Sequence, residues 1–334
     1  TRKESSAASD VYKRQVYIRN IAKICVVAIA GVTFIWMSAD MTAQQRSSTV
    51  FSSIENPVIP KSMTFAGKTI DFDRVDMFER LDRELTSMAY THGNTLLVLK
   101  RANKYFPELL PILKKNGVPE DMIYLACIES TLNPRAYSGA KAAGLWQFIP
   151  STAKQYGLEV NEYVDERYNT VKATEAACRY LKTAYGKYGN WESVAASYNG
   201  GMGRISKEIE AQGEPSAYNL YLVDETARYI YRLLAMKLIM ETPAKYGYHL
   251  KSDQLYQPVR TREVTVDYPV EDWAQWAKKQ GVSYMQLRDF NPWIRAKSLP
   301  NKTAKAYTVL LPEKSDLNRS TQQRKTYRDA WVVD

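Results

Sequence analysis

Between residues 72 and 240 the apolar positions recur at helical spacing, and Pro, Gly and Asn mark the breaks between the runs. FDRVDMFERLDRELTSMAY places Phe72, Val75, Phe78, Leu81, Leu85 and Met88 on one stripe, which predicts a helix. NTLLVLKRANKYFPELLPILKKNG predicts a second from an Asn94 cap, with Pro107 and Pro111 bending or breaking its second half. PEDMIYLACIES is a complete short helix: Pro119 takes the first helical position, Glu120 and Asp121 follow, and Asn133-Pro134 must end it. Met122, Leu125, Ala126 and Glu129 fall at i, i+3, i+4 and i+7, so a carboxylate lies on an apolar stripe. Further helices are expected from Pro150 to Gly157, from Val171 to about Tyr188, from Trp191 to Asn199 where Gly200-Gly201 stops it, and from an Asp224 cap through Met240. From Arg262 the pattern changes to an alternating strand, REVTV, a helix around VEDWAQWAKKQG, another from Ser283 to Asn291, and a strand, AYTVLLP. The expected fold is mainly α, with a small α+β module at 262–312.

The segments outside these patterns set the organisation. Residues 1–15 are polar and patternless and are set aside as an extension. Arg14, Arg19 and Lys23 precede the apolar run from Ile24 to Met37, and SADMTAQQ follows, the layout of a secretory segment. The run is short of the about 20 residues that span a bilayer, yet no small-x-small cleavage site follows it, so a cleaved signal and an uncleaved membrane anchor both stand. Residues 1–43 are therefore extension plus signal or anchor, and 44–66, rich in Ser, Thr, Pro and Gln, are a linker. A helical domain with an N-terminal buttress occupies 67–249, a linker 250–261, and a polar, basic tail, expected to be disordered, 313–334.

Composition narrows the class. Apolar residues make up 45% and charged residues 25% of the 334, an ordinary globular balance. The net charge is +10, and without residues 1–43 it is +7, from 40 basic and 33 acidic side chains. Such a surface suits a polyanion. Export argues against nucleic acid and leaves another polyanion as the partner. Cys127 and Cys178 lie on core-facing helices and are expected as free thiols; there is no CxxC, and His92 and His249 stand alone, so neither a metal site nor a cofactor is expected.

Glu129 is the candidate for chemistry. Desolvation raises a carboxyl pKa, and the partial negative charge of the last helical turn raises it further, which predicts an acid still protonated near neutrality and able to act as a general acid. Taken alone, such a residue is better explained as the partner of an Arg or Lys elsewhere. It is followed, however, by GAKAAGLWQFIPSTAKQYG (139–157), SVAASYNGGMGR (193–204) and DETARYIYRLLA (224–235). Four blocks in this order and spacing resemble the lytic transglycosylase family, lysozyme-like enzymes that cleave bacterial peptidoglycan, and most closely its membrane-bound murein transglycosylase D branch. The 262–312 module resembles a LysM fold: GVSYMQLRDFNPW matches its second half, while DYPVED replaces the turn typical of its first half.

The resemblance implies a goose-type lysozyme fold and a set of site residues. Glu129 would be catalytic; Ser138, Trp146, Gln147, Tyr198, Asn199 and Tyr229 would face the substrate, the Tyr198 hydroxyl within reach of the catalytic carboxyl. Glu225 would hold the cleft wall by hydrogen bonds. For Trp146 plain core filling is an equal alternative, and Tyr198-Asn199 before two glycines also fits a helix cap. Most glycosidases use two carboxylates, and here one is evident, Asp165 and Glu166 belonging to a capping turn. The family's implied answer is that Glu129 protonates the glycosidic oxygen between N-acetylmuramic acid and N-acetylglucosamine while the substrate's acetamido oxygen stabilises the anomeric carbon. Glu129 then takes the proton of the muramoyl 6-hydroxyl, which attacks the same carbon, giving a 1,6-anhydromuramoyl end without water. The resemblance also implies peptidoglycan glycan strands as partner, a periplasmic or membrane-anchored monomer, and a role in wall turnover. A hydrolytic muramidase on the same fold and a non-catalytic wall-binding protein are the alternatives.

Overall fold

The computed structural model describes residues 56–334; the signal or anchor segment and the linker up to residue 55 lie outside the described residues. The rest of that linker is not a tether. Strands β1 (Ser62–Phe65) and β2 (Lys68–Asp71) form an antiparallel hairpin in the register Met63↔Ile70, turning on Ala66 and Gly67, both at positive φ. Alternation buries Met63, Phe65 and Ile70, and Asp121 Oδ2 accepts the Ala66 N–H at 2.7 Å.

Helices α1 (Val75–Tyr90) and α2 (His92–Lys115) follow. In α1 the inward face is Met77, Leu81, Glu84 and Leu85, whereas Val75 and Phe78, expected inside, are exposed. Glu84 displaces them because Arg228 and Arg232, with Arg83, surround its carboxylate at 2.7–3.3 Å. Helix α2 runs unbroken through Pro107 and Pro111; both prolines face solvent, and the buried row Phe106, Leu109, Leu110 and Leu113 holds the helix together. Each such side chain is worth about 1.5–3 kcal/mol in burial. A short 3-10 turn at Glu120–Met122, for which Pro119 is the cap and not the first residue, leads into α3 (Ile123–Ser130). Thr131 and Leu132, at φ 52 and 53, end α3 before Asn133-Pro134 is reached. Then come α4 (Pro150–Gln155), α5 (Thr170–Tyr188), α6 (Trp191–Gly200), α7 (Met202–Gln212) and α8 (Asp224–Glu241). Every residue of α3 but Ile128 and Glu129 is buried, enclosed mainly by α2 and α8. Cys127 and Cys178 are buried free thiols.

The last region pairs β3 (Thr261–Val266) with β4 (Tyr307–Pro312), antiparallel, around α9 (Trp273–Lys279) and α10 (Tyr284–Phe290). Its core of Val266, Trp273, Trp276, Leu287, Trp293 and Val309 also takes in Ala143, Val164 and Tyr168 from the helical domain. The Asp165 N–H donates to Trp293 O at 2.9 Å, and the Arg295 N–H to Tyr163 O at 2.8 Å. The tail, expected to be disordered, is ordered. The Tyr327 N–H donates to Asn103 Oδ1 at 2.7 Å and the Val333 N–H to Leu250 O at 2.9 Å, while Trp331, 1% exposed, donates from Nε1 to Met240 O at 2.7 Å. Its buried Trp331 outweighs its polar composition, since one buried indole removes about 150–250 Å² from water.

Candidate active site

Glu129 occupies the last turn of α3 and is half-buried. Its Oε1 accepts a hydrogen bond from the Tyr229 hydroxyl at 2.6 Å. Burial drives its pKa from 4.5 up to about 7; the Tyr229 hydrogen bond opposes the rise, the charge of Glu225 adds to it and Arg232 opposes it. Burial, and next the Glu129 charge, hold the Tyr229 phenol well above its usual range, so it remains a donor. A carboxyl poised near neutral pH and oriented by one donor can give a proton and take it back.

The sequence-predicted residues divide. Tyr198 sits near Glu129, whose charge adds to burial in raising its pKa, but its hydroxyl donates to the Trp146 carbonyl at 2.7 Å. The hydroxyl on the carboxylate is Tyr229's. Trp146 is fully buried and its Nε1 donates to Thr174 Oγ1 at 2.8 Å, so its side chain fills core and only its backbone serves the site, through Tyr198. Gln147, at φ 47, gives its amide N–H groups to Gly144 O at 2.8 Å and Ala136 O at 3.3 Å, leaving Oε1 without a hydrogen bond among the described residues. Ser138 Oγ accepts the Ala142 N–H at 3.1 Å and closes its own loop. Asn199, at the end of α6, accepts from Thr226 Oγ1 at 2.8 Å. Glu225 does not brace a wall: it is exposed and makes no hydrogen bond or ion pair among the described residues, and its contribution is the charge that Glu129 feels. The bracing falls to its neighbour, buried Thr226.

Three supports had no motif to announce them. Ser130, beside Glu129, donates from Oγ to Leu145 O at 2.8 Å and ties α3 to the 136–148 loop. Arg167 is buried; it pairs with Asp165 through Nη2 at 2.7 Å and donates from Nη1 to Lys141 O and Phe148 O at 2.7 and 2.9 Å. One guanidinium thereby ties the middle of the loop to its C-terminal end. Gly144, at φ 78, allows this, because a Cβ there would overlap the Arg167 carbonyl oxygen. Arg232, third, was read only as part of a block, yet it neutralises Glu84 and tempers Glu129. Among the described residues no three His, Cys, Asp or Glu side chains cluster as metal ligands would.

Residues 111–221 match the Transglycosylase SLT domain family, and residues 262–315 match the Soluble lytic transglycosylase C-terminal LysM-like domain. Membrane-bound lytic murein transglycosylase D of Escherichia coli K12 is 32% identical over 226 residues, 66% of this chain and 48% of that protein. Membrane-bound lytic murein transglycosylase C of Haemophilus ducreyi is 26% identical over 179 residues, 46% of this chain and 48% of its own length. The chain thus spans about half the length of these relatives. The solved structure of the 70 kDa soluble lytic transglycosylase of Escherichia coli aligns at 19% identity and a TM-score of 0.36, over 63% of this chain and 40% of that one.

Proposed function

Because this chain carries an SLT transglycosylase domain followed by a LysM-like module, we propose that it is a peptidoglycan lytic transglycosylase in which Glu129 is both acid and base. The observation that carries the reading is the Glu129 carboxyl itself, half-buried, held by Tyr229 and raised to about 7. Near neutrality such a group is populated in both forms, which is what a residue needs if it is to protonate a leaving oxygen and then accept a proton. Protonation of the glycosidic oxygen breaks the bond between N-acetylmuramic acid and N-acetylglucosamine, with the acetamido oxygen stabilising the anomeric carbon. The ionised Glu129 next takes the proton of the muramoyl 6-hydroxyl as that oxygen bonds to C1. The sugar supplies its own nucleophile at high effective concentration, so no water is consumed. Tyr229 positions the carboxyl, the Tyr198 ring lines the site, and Ser138, Gln147 Oε1 and Asn199 Nδ2 offer polar groups to the sugar. Wall turnover, in the bacterial envelope and with the N-terminal segment as signal or anchor, is the role that follows.

A hydrolytic muramidase is the second reading, and one observation favours it. Asp165, the first candidate for a second carboxylate, is buried in its ion pair with Arg167. Glu225, in contrast, is exposed and near enough for its charge to raise Glu129. Digestion of purified sacculi in oxygen-18 water separates the two. Transglycosylation gives unlabelled muramoyl ends, one water lighter than hydrolytic products and resistant to borohydride; label at C1 in most products would establish hydrolysis, with Glu225 as the base to remove. Glu129→Gln should abolish either reaction, by about 100-fold or more.

A further inference from the structure

A cavity of about 620 Å³ opens at the seam between the helical domain and the LysM-like module. The helical domain contributes Arg135, Tyr137, Asp165, Arg167 and Tyr168 to its lining, and the module contributes Arg288, Pro292 and Arg295. Four arginines line one cavity at a fold boundary, and their partners are unevenly shared. Arg167 is neutralised by Asp165, and Arg135 by Asp289. Arg288 and Arg295 have no carboxylate in ion-pair range among the described residues: Arg288 donates from Nη1 to Tyr284 OH at 2.7 Å and leaves a buried Nε without a partner, and Arg295 lies over the Tyr168 ring at 4.4 Å and donates from Nη1 to Pro292 O at 3.2 Å, its Nε and Nη2 making no hydrogen bond among the described residues. Concentrating like charges costs free energy unless something anionic repays it. A guanidinium over an aromatic ring keeps its in-plane N–H groups clear of the ring, and the Nε and Nη2 of Arg295, which Pro292 leaves open, are the edge that receives a carboxylate with two hydrogen bonds.

The place of the cavity limits its ligand. Arg135 lies six residues beyond Glu129, and Tyr137, 61% exposed, adjoins Ser138 in the loop that Arg167 clamps. A ligand here touches both the module and that loop. Resting on the proposed reaction, we infer that the seam cavity binds the carboxylate-bearing peptide stem of the glycan strand cleaved at Glu129. Arg288 and Arg295 are the receiving groups and the two tyrosines the walls. The site favours strands that still carry their peptides, and it sets their orientation before the proton is transferred.

The double variant Arg288→Gln/Arg295→Gln, in the full chain, tests this against two substrates, peptide-bearing glycan strands and the same strands stripped by an amidase. On peptide-bearing strands KM should rise about tenfold with kcat unchanged, the loss of two partly exposed charge contacts of about 0.7 kcal/mol each. On stripped strands neither constant should change, which also shows that the fold is intact. Arg288→Lys/Arg295→Lys should restore part of the loss. A rise of equal size on both substrates, or no rise on either, overturns the proposal. Calorimetric titration with the stem peptide released by the amidase separates this site from the reaction: binding lost in the double variant supports the site even if no anhydro product is ever found, and binding equal in wild type and variant defeats it even if cleavage proceeds.

Discussion

The raised pKa of Glu129 makes folding stability a readout of the site that needs no substrate. In the unfolded chain the carboxyl titrates near its ordinary 4.5, and in the folded protein near 7. Between those two values the folded state holds a proton that the unfolded state has released, so stability falls as pH rises, by about 1.36 kcal/mol per pH unit. Over about 2.5 units this amounts to about 3 kcal/mol, present below pH 4.5 and gone above pH 7. Glu129→Gln keeps the size of the side chain and can accept from Tyr229, but has nothing to titrate. Unfolding free energies from denaturant titration at pH 4 and pH 8, wild type beside variant, cancel every other ionisable group. The variant should gain about 3 kcal/mol on the wild type between the two pH values, and its Tm about 5 °C or more. A gap that stays constant within about 0.5 kcal/mol would refute a buried, proton-holding Glu129, and a gap that moves the other way would mean that Glu129 is stabilised as the anion.

Tyr229→Phe removes the donor that stabilises the charged form of Glu129, so the pKa should climb beyond about 7 by about 1–2 units, the worth of a hydrogen bond to a charged group; the alkaline limb of the kcat/KM profile on peptidoglycan should follow it upward. Glu225→Gln should move the same limb downward, because the charge that raises Glu129 is lost. Gly144→Ala should destabilise by about 2–5 kcal/mol, combining a left-handed alanine with overlap on the Arg167 carbonyl, and thermal unfolding measures it. Deleting 262–312 can be joined cleanly, since Thr261 pairs with Pro312, but it strips cover from Val164 and Tyr168 and the Trp293 partner from Asp165; cleavage of soluble strands should therefore fall, and unchanged turnover would make the module a dispensable appendage.

Helix existence was legible because α5, α6 and α8 obey the 3.6-residue rule with clean stops, and the module's strand, two helices and strand lie where alternation and capping put them. Glu129 was legible for the same reason, a polar residue on an apolar stripe. What failed was whatever a distant residue decides. Glu84 turns inward because Arg228 and Arg232 reach it from α8, and no local pattern contains that. Tyr198 and Tyr229 are both phenols near one carboxylate, and which of them bonds it depends on Trp146 presenting its carbonyl to the other. Arg167 looks like any arginine in a turn until the 136–148 loop folds over it. The hairpin at 62–71 and the 313–334 tail are short on apolar residues, yet Met63, Phe65, Ile70 and Trp331 among them are buried in cores made largely by other segments.

The ordered tail changes the mechanics of the molecule. After β4 the chain returns to the helical domain, where Tyr327 is held by α2, Trp331 by the Met240 carbonyl near the end of α8, and Val333 by Leu250. The module is therefore an excursion anchored at both feet, with Thr261 and Pro312 side by side where it leaves and re-enters. A load applied to it is divided between two chain segments and passes directly into α2 and α8, the helices that enclose Glu129. A bead on a single string can swivel and search; a staple cannot. On the proposed reading, a strand gripped by the module would meet the carboxylate at one spacing and one angle, like stock held in a jig.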